Sequence, residues 1–307
     1  MPVSSPPIKP YGAPVLILAG PTASGKSALA LRLAEQLDGV IINADSMQVY
    51  RGLEILTAQP TVAEQATIPH RLYGDRDPGQ PSSAVDWCHA ARAAITAAHT
   101  EGRRAIVVGG TGLYLKTLLE GLPPIPAIPP DVRAATAALP TAELYAALSR
   151  HDPEGAARLK PTDRQRLQRA LEVWQATGQP LVHWQAGPPD PLPFLVHRVV
   201  LLPERQVLYD RINARFLQML DAGARAEVAA LFEQRLDPAL PAMKAVGVPE
   251  LAACLRGELS LADAISRAQQ HSRHYAKRQY TWFRHQMQWD QVLETPDAES
   301  VLKAAAA

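Results

Sequence analysis

The sequence predicts an α/β fold: a parallel sheet with helices on both faces, interrupted by an inserted all-helical module. Three observations carry this reading: short apolar runs alternate with stretches of helical period, proline gathers at two breaks, and the segment between the breaks is helical in pattern throughout. Val15-Leu-Ile-Leu-Ala19 is a continuous apolar run closed by Gly20 and followed by helical periodicity from Ser27 to Leu37, a buried strand feeding a helix. Strand character returns at Val40-Ile41-Ile42 and at Ala105-Ile106-Val107-Val108, the latter preceded by a helix from Ser83 to His99. From Leu122 to Pro130 five of nine residues are proline, which excludes helix and central strand and places a hinge. Residues Asp131 to Thr177 then read as helical, with starts at Thr141 and Asp163 and a stop at Gly178, before a second proline-rich stretch from Gly187 to Pro193. Strand character resumes at Val196 to Leu202, and long helices are expected from Glu204 to Arg235 and from Leu261 to Met287. The expected organisation is a core of 14–121 and 196–292, a helical module at 131–186, and flexible ends at 1–13 and 293–307, with the Ala304–Ala307 tail frayed.

Composition narrows the class. The chain has 307 residues, 47% hydrophobic and 20% charged, ordinary for a folded globular protein and unlike a disordered or membrane chain. Its 31 Lys and Arg against 30 Asp and Glu leave a net charge of +1, so any nucleic-acid surface must be local. Two distant cysteines, Cys88 and Cys254, suggest neither a disulfide framework nor a zinc site. The first residues, Met1 to Pro14, hold several prolines and no apolar h-region, so they do not read as a secretory signal. A cytoplasmic protein with no membrane span is expected.

Gly20, Pro21, Thr22, Ala23, Ser24, Gly25, Lys26 and Ser27 fit G-x-x-x-x-G-K-[ST] between a strand and a helix, where that pattern works. Backbone N–H groups wrap a phosphate, the helix N-terminus adds positive potential, Lys26 neutralises charge and Ser27 can hold Mg²⁺. The motif points to a di- or triphosphate without choosing between them. The second strand runs into Asn43-Ala-Asp-Ser-Met-Gln-Val-Tyr50, which puts Asp45 at a strand's carboxyl end beside the phosphate loop, where open parallel sheets bind ligands. The other reading of Asp45 is a cap of the next turn. The third expected strand ends in Gly109-Gly-Thr-Gly-Leu-Tyr114 without an acid, which disfavours an ATP-hydrolysing motor. These glycines could serve binding or tight packing.

Basic residues concentrate in two places. Between Gly155 and Arg169, Arg158, Lys160, Arg164, Arg166 and Arg169 are opposed only by Asp163, and no acid stands between Asp263 and Asp290. At helical spacing Arg273, Lys277, Tyr280 and Arg284 share a stripe, with Ala268, Tyr275 and Trp282 opposite. A basic face with an aromatic suits phosphate contacts and base stacking, and it is equally what a solvated helix face looks like. The nine histidines lack metal-ligand spacing.

Taken together, Gly20–Ser27, Asn43–Tyr50, Gly109–Tyr114 and Tyr275-Ala-Lys-Arg-Gln-Tyr-Thr-Trp282 resemble the tRNA dimethylallyltransferases, as do Asp163–Glu172 and Arg211–Arg215. The likeness runs from about Pro14 to Trp289 and departs at Gly247-Val-Pro-Glu250 and at Ser272. It implies a P-loop kinase-like core that moves a dimethylallyl group from its diphosphate to the N6 amine of the adenine 3′ to the anticodon. By resemblance Asp45 is the general base, Thr22 lies beside the departing diphosphate, and the phosphate loop stabilises that leaving group, with Mg²⁺ at Ser27. Arg215, one turn beyond Arg211 on an expected helix start, is assigned an added diphosphate contact. The tRNA anticodon stem-loop is assigned to Asp45, Ser46, Met47, Gln48, Thr111, Arg133, Gln165, Arg166, Leu167, Gln168 and Arg169, and to Arg273 and Lys277 on the last helix. The target adenine would have to leave its stack to reach the site. Dimethylallyl diphosphate is the expected donor and a monomer the expected state. The rival readings are a P-loop small-molecule kinase using ATP and a nucleotide-gated RNA-binding protein.

Overall fold

A computed structural model describes residues 14–121, 123–186 and 192–306. The expected flexible arm at 1–13 lies outside them. The chain divides into two compact units, one formed by residues up to 119 together with 192 onward and the other by 120–191.

The first unit opens with β1 (Val15–Ala19), α1 (Lys26–Leu37) and β2 (Gly39–Asn43), then α2 (Val62–Thr67), β3 (His70–Arg71), α3 (Ala84–Thr100), β4 (Arg104–Gly109) and α4 (Gly112–Glu120). The second unit carries α5 (Pro130–Ala138), α6 (Thr141–His151), α7 (Pro153–Ala157), α8 (Arg164–Thr177) and α9 (Leu181–Gln185). The chain then returns with β5 (Val196–Leu201), α10 (Arg205–Asp221), α11 (Ala224–Glu233), α12 (Val248–Leu255), α13 (Leu261–His285), β6 (Gln291–Leu293) and α14 (Ala298–Ala306).

All strand pairs are parallel, in the order β3-β2-β4-β1-β5-β6. β1 is buried along its whole length, as its unbroken apolar run requires. On one face Leu16, Leu18, Ile41, Ile106, Val199 and Leu201 pack against Leu29, Ala30 and Leu33 of α1. A second core joins Tyr50 and Leu53 to Phe216, Val228, Val248, Leu251 and Ala268 from α10 through α13. The second unit has its own core of Leu144, Leu148, Leu167 and Leu171, and Asp163 caps α8 as its position before the periodic run requires.

Several expectations change. Of the end expected to be flexible at 293–307, the described residues 293–306 are structured: β6 pairs with β5, and Ala298 and Val301 of α14 are buried against the α1 face. The helix expected from Glu204 to Arg235 is two, because Gly223 takes a left-handed φ of 106° that ends one and starts the next. The strand before Asp45 does not adjoin the strand of the phosphate loop, since β4 runs between β1 and β2. Arg215 sits in the middle of α10, not at a helix start.

Val301→Ala should therefore cost about 1–3 kcal/mol by leaving a cavity beside α1, whereas a frayed tail would give no loss. Urea unfolding measured by circular dichroism reads the difference.

Candidate active site

The phosphate loop leaves β1 at the centre of the sheet. Ala23 and Gly25 take left-handed φ of 63° and 94°, which turns successive N–H groups inward as an anion nest requires. A Cβ at Gly20 would lie 2.8 Å from both the Leu201 carbonyl and Ser24 Oγ, so only glycine fits there. Ser24 is fully buried and its Oγ has no hydrogen-bond partner. Lys26 Nζ donates to the Pro21 carbonyl at 3.3 Å, and Ser27 is exposed on the first turn of α1.

β4 brings the two halves of the site together. A Cβ on Gly109 would fall 2.1 Å from the Ala44 carbonyl oxygen, and one on Gly110 would fall 2.3 Å from Gln279 Nε2, with the Gly20 carbonyl at 3.3 Å and Asp45 Oδ2 at 3.4 Å. The bare glycine backbone thus lets Asp45, from the end of β2, reach the phosphate loop across an intervening strand. Asp45 is fixed locally: its N–H donates to Asn43 Oδ1 at 2.7 Å, and its Oδ1 accepts the Met47 N–H at 3.0 Å. Ser46 N–H donates to Thr111 Oγ1 at 2.9 Å, and the Thr111 hydroxyl donates to Ser46 Oγ at 3.2 Å. Gln48 spends its amide within the fold, donating to the Thr57 and Ala58 carbonyls at 2.8 and 2.9 Å.

α10 and α13 close the site. The Arg215 guanidinium donates to Thr22 Oγ1, and Arg211 donates to the Ser24 carbonyl at 3.4 Å. Sequence reasoning missed Gln279. Its Oε1 accepts the Thr22 N–H at 2.9 Å and its Nε2 donates to the Gly110 carbonyl at 2.8 Å, tying the phosphate loop to the end of β4. The buried side of α13 is Ala264, Ala268, Ala276, Gln279 and Phe283, so the packing stripe drawn through Tyr275 and Trp282 is displaced around the helix. Buried Glu250 accepts the Gly247 N–H at 3.0 Å and bonds His271 Nδ1, giving the Gly247–Glu250 turn a structural role.

Two hollows meet at Arg215. A cleft of about 640 Å³ is lined by Lys26, Ser27, Arg32, Gln48, Gln59, His70, Tyr73, Arg211 and Arg215. A small cavity of about 80 Å³ is lined by Thr22, Asp45, Met47, Thr57, Arg215, Ser272 and Tyr275 with apolar Leu56, Ile212, Phe216 and Met219. Desolvation lowers the Lys26 pKa to about 8, with the Asp45 carboxylate pulling it up and Arg215 pushing it further down. Desolvation likewise lowers Arg215, and Asp45 again opposes it. Burial raises the Tyr275 and Tyr73 phenols, and the Asp45 charge raises both further. Asp45 is therefore the anion that faces two partly desolvated cations.

The remaining expected residues lie apart from this cluster or in the second unit. Arg273 donates to Asn213 Oδ1 at 2.7 Å, and Lys277 is exposed. In the second unit Arg133, Gln165 and Arg166 are exposed. Arg169 approaches Glu172 at 3.7 Å, and Gln168 donates to that carboxylate at 2.9 Å. Leu167 is corrected: it is fully buried in the core of that unit, so its side chain offers no surface to RNA.

A family model described as IPP transferase matches residues 48–286. A tRNA dimethylallyltransferase of Rhodospirillum centenum is 56% identical over 286 residues, 91% of this chain and 90% of that protein. The solved tRNA isopentenylpyrophosphate transferase of Bacillus halodurans is 33% identical with a TM-score of 0.70, covering 95% of this chain and 94% of that one. A solved eukaryotic dimethylallyltransferase described as acting on tRNA is 29% identical with a TM-score of 0.79, over 89% of this chain and 70% of that one.

Gln279→Leu removes both bridging hydrogen bonds and strands the Thr22 N–H and the Gly110 carbonyl. A loss of about 1–3 kcal/mol per stranded group is expected in urea unfolding, with faster amide exchange at Thr22.

Proposed function

The chain belongs to the IPP transferase family and prenylates tRNA, and from that premise we propose how its residues do so: dimethylallyl diphosphate donates its five-carbon group to the N6 amine of the adenine 3′ to the anticodon. The observation that carries this mechanism is the placing of Asp45 opposite Lys26 and Arg215 around Thr22. In the transfer the C1–O bond of the allylic diphosphate breaks, the N6–C1 bond forms, and one amine proton passes to the Asp45 carboxylate. An aromatic amine is a weak nucleophile, so a carboxylate that takes its proton lowers the barrier. The leaving diphosphate carries the developing charge, met by the loop N–H groups, Lys26 and Arg215. Leu56, Ile212, Phe216 and Met219 on the small cavity suit the dimethylallyl group.

Mg²⁺ fits the donor set at one point. Ser27 presents an exposed hydroxyl beside the cleft, and among the described residues no group of three or more His, Cys, Asp or Glu could hold a metal. The ion would rest on Ser27 and the diphosphate oxygens, as Mg²⁺ does with substrate phosphates, and would neutralise leaving-group charge. For the anticodon stem-loop, exposed Arg133, Gln165, Arg166 and Lys277 are the phosphate and base contacts we assign, and the extruded adenine is the acceptor. The reading includes action as a monomer in the cytoplasm, where tRNA is met. The kinase alternative is disfavoured, because the relatives are named for prenyl transfer.

Asp45→Asn should fold and bind both substrates, keeping an acceptor for the Met47 N–H, yet lose about 10²–10⁴-fold in single-turnover rate. A rate within about threefold of wild type, far short of that loss, would falsify the base assignment. Lys26 supplies a pH signature. Its pKa of about 8 in the free site means that above this pH it must regain a proton to meet a diphosphate. Affinity for inorganic diphosphate should therefore weaken as pH rises through about 8 in wild type relative to Lys26→Ala, whose weaker binding lacks that component. Parallel profiles for the two proteins in calorimetric titration would remove Lys26 from the site.

A further inference from the structure

Asp45, Thr22 and Arg215 are walled on one side by a loop with no regular secondary structure. Leu56 and Thr57 face the small cavity, and the next two residues, Ala58 and Gln59, face the larger cleft, so one short stretch of backbone borders both. Ala58 takes a left-handed φ of 54°, a conformation that a non-glycine residue keeps only where neighbours hold it. Thr57 Oγ1 donates to the Leu53 carbonyl and Gln59 Nε2 to the Tyr50 carbonyl within the loop, and two side chains reach it from outside. Gln48 donates to the Thr57 and Ala58 carbonyls. Glu227 of α11 accepts the Ile55 N–H on Oε1 at 2.7 Å and the Leu56 N–H on Oε2 at 2.9 Å. Each carboxylate oxygen thus fixes one of two consecutive amides, more than 170 residues away in the chain.

We propose that Glu227 is a positioning residue of the donor site: its two oxygens clamp the Ile55–Leu56 backbone and so set the wall that Leu56 and Thr57 present beside Asp45, Thr22 and Arg215. Glu227 lines neither hollow, so its effect passes through the loop. A carboxylate is required because two adjacent N–H donors need two acceptor atoms, and a glutamine offers one acceptor and a second donor that opposes the remaining N–H. Burial pushes the Glu227 carboxyl pKa up, and the two backbone donors oppose that rise by favouring the anion. The wall matters for the donor because Leu56 and Thr57 line the small cavity, and a displaced wall loses their contacts with whatever it holds.

The inference rests on the prenyl-transfer reading, and the test separates the two. Donor affinity is measured directly by titrating dimethylallyl diphosphate into wild type, Glu227→Gln and Glu227→Asp in the absence of tRNA, and transfer to tRNA is measured in parallel. Glu227→Gln is expected to weaken donor binding about tenfold, on the order of losing one or two buried methylene contacts, while kcat at saturating donor and KM for tRNA change far less. Amide exchange at Ile55 and Leu56 should accelerate. Glu227→Asp keeps both acceptor oxygens on a shorter stem and should recover part of the affinity. It also decides the matter if the glutamine variant does not fold. A merely structural role would lower the unfolding midpoint and leave the donor affinity of the folded protein unchanged, and donor binding within twofold of wild type in whichever variant folds overturns the proposal. Wild type that binds donor but transfers nothing overturns the prenyl-transfer reading instead, with the affinity ratio still deciding the clamp. Wild type that does not bind the donor overturns both.

Discussion

The arrangement of groups at the carboxyl edge of the sheet depends on the absence of side chains at Gly109 and Gly110. β4 separates the strand of the phosphate loop from the strand that ends near Asp45, and strands in a sheet stand about 4.8 Å apart. Two functional segments two strands apart can meet only if the strand between them ends in something thin. Gly109 admits the Ala44 backbone, and Gly110 admits the Gln279 amide, which bonds both Thr22 and Gly110 while Gly20 and Asp45 close in beside it. Binding and tight packing, which compete as explanations of these glycines in the sequence, are here one device.

Once the segments meet, burial governs their charges. Lys26 and Arg215 lose solvation and are pushed toward their neutral forms, and the carboxylate of Asp45 holds them back. The diphosphate proposed for this setting would find charge already in place where water has been lost. The same low-dielectric surroundings that make the cations costly strengthen each contact they form with the anion. α10 serves the phosphate loop twice, through Arg211 on the Ser24 carbonyl and Arg215 on Thr22, and the two sit one turn apart as helical spacing demands.

What was legible in the sequence had a local cause. The phosphate loop shows its glycine spacing, α8 shows Asp163 at one end and Gly178 at the other, and β1 shows an unbroken apolar run. Gly223 was a visible signal for the break between α10 and α11, and the spacing of Ala298, Val301 and Leu302 was a visible signal for α14. β3 and β6 have two and three residues, too few for any periodicity to appear. Gln279 stands inside the Tyr275–Trp282 segment that carries the resemblance, yet no spacing assigns it a role, and Glu227 stands in no motif. Each is an ordinary polar residue on a helix, and its meaning comes from a backbone group 257 or 172 residues away. The basic stripe of α13 was drawn from angle alone, which ignores that Arg273 has Asn213 to bond.

Asp45 shows why the cap and base readings were hard to separate. Capping uses one oxygen: Oδ1 accepts the Met47 N–H, while Asn43 secures the Asp45 backbone through Nδ2 and Oδ1. The other oxygen, Oδ2, lies over Gly110 on the side of the phosphate loop. A carboxylate held by one atom is oriented at the other, and orientation is what a base needs before its substrate arrives. The turn at the end of β2 therefore does not compete for the side chain with the proton transfer proposed for it. It fixes the direction in which Oδ2 points, so the local hydrogen bond that makes Asp45 look structural is a condition for its placement opposite Lys26 and Arg215.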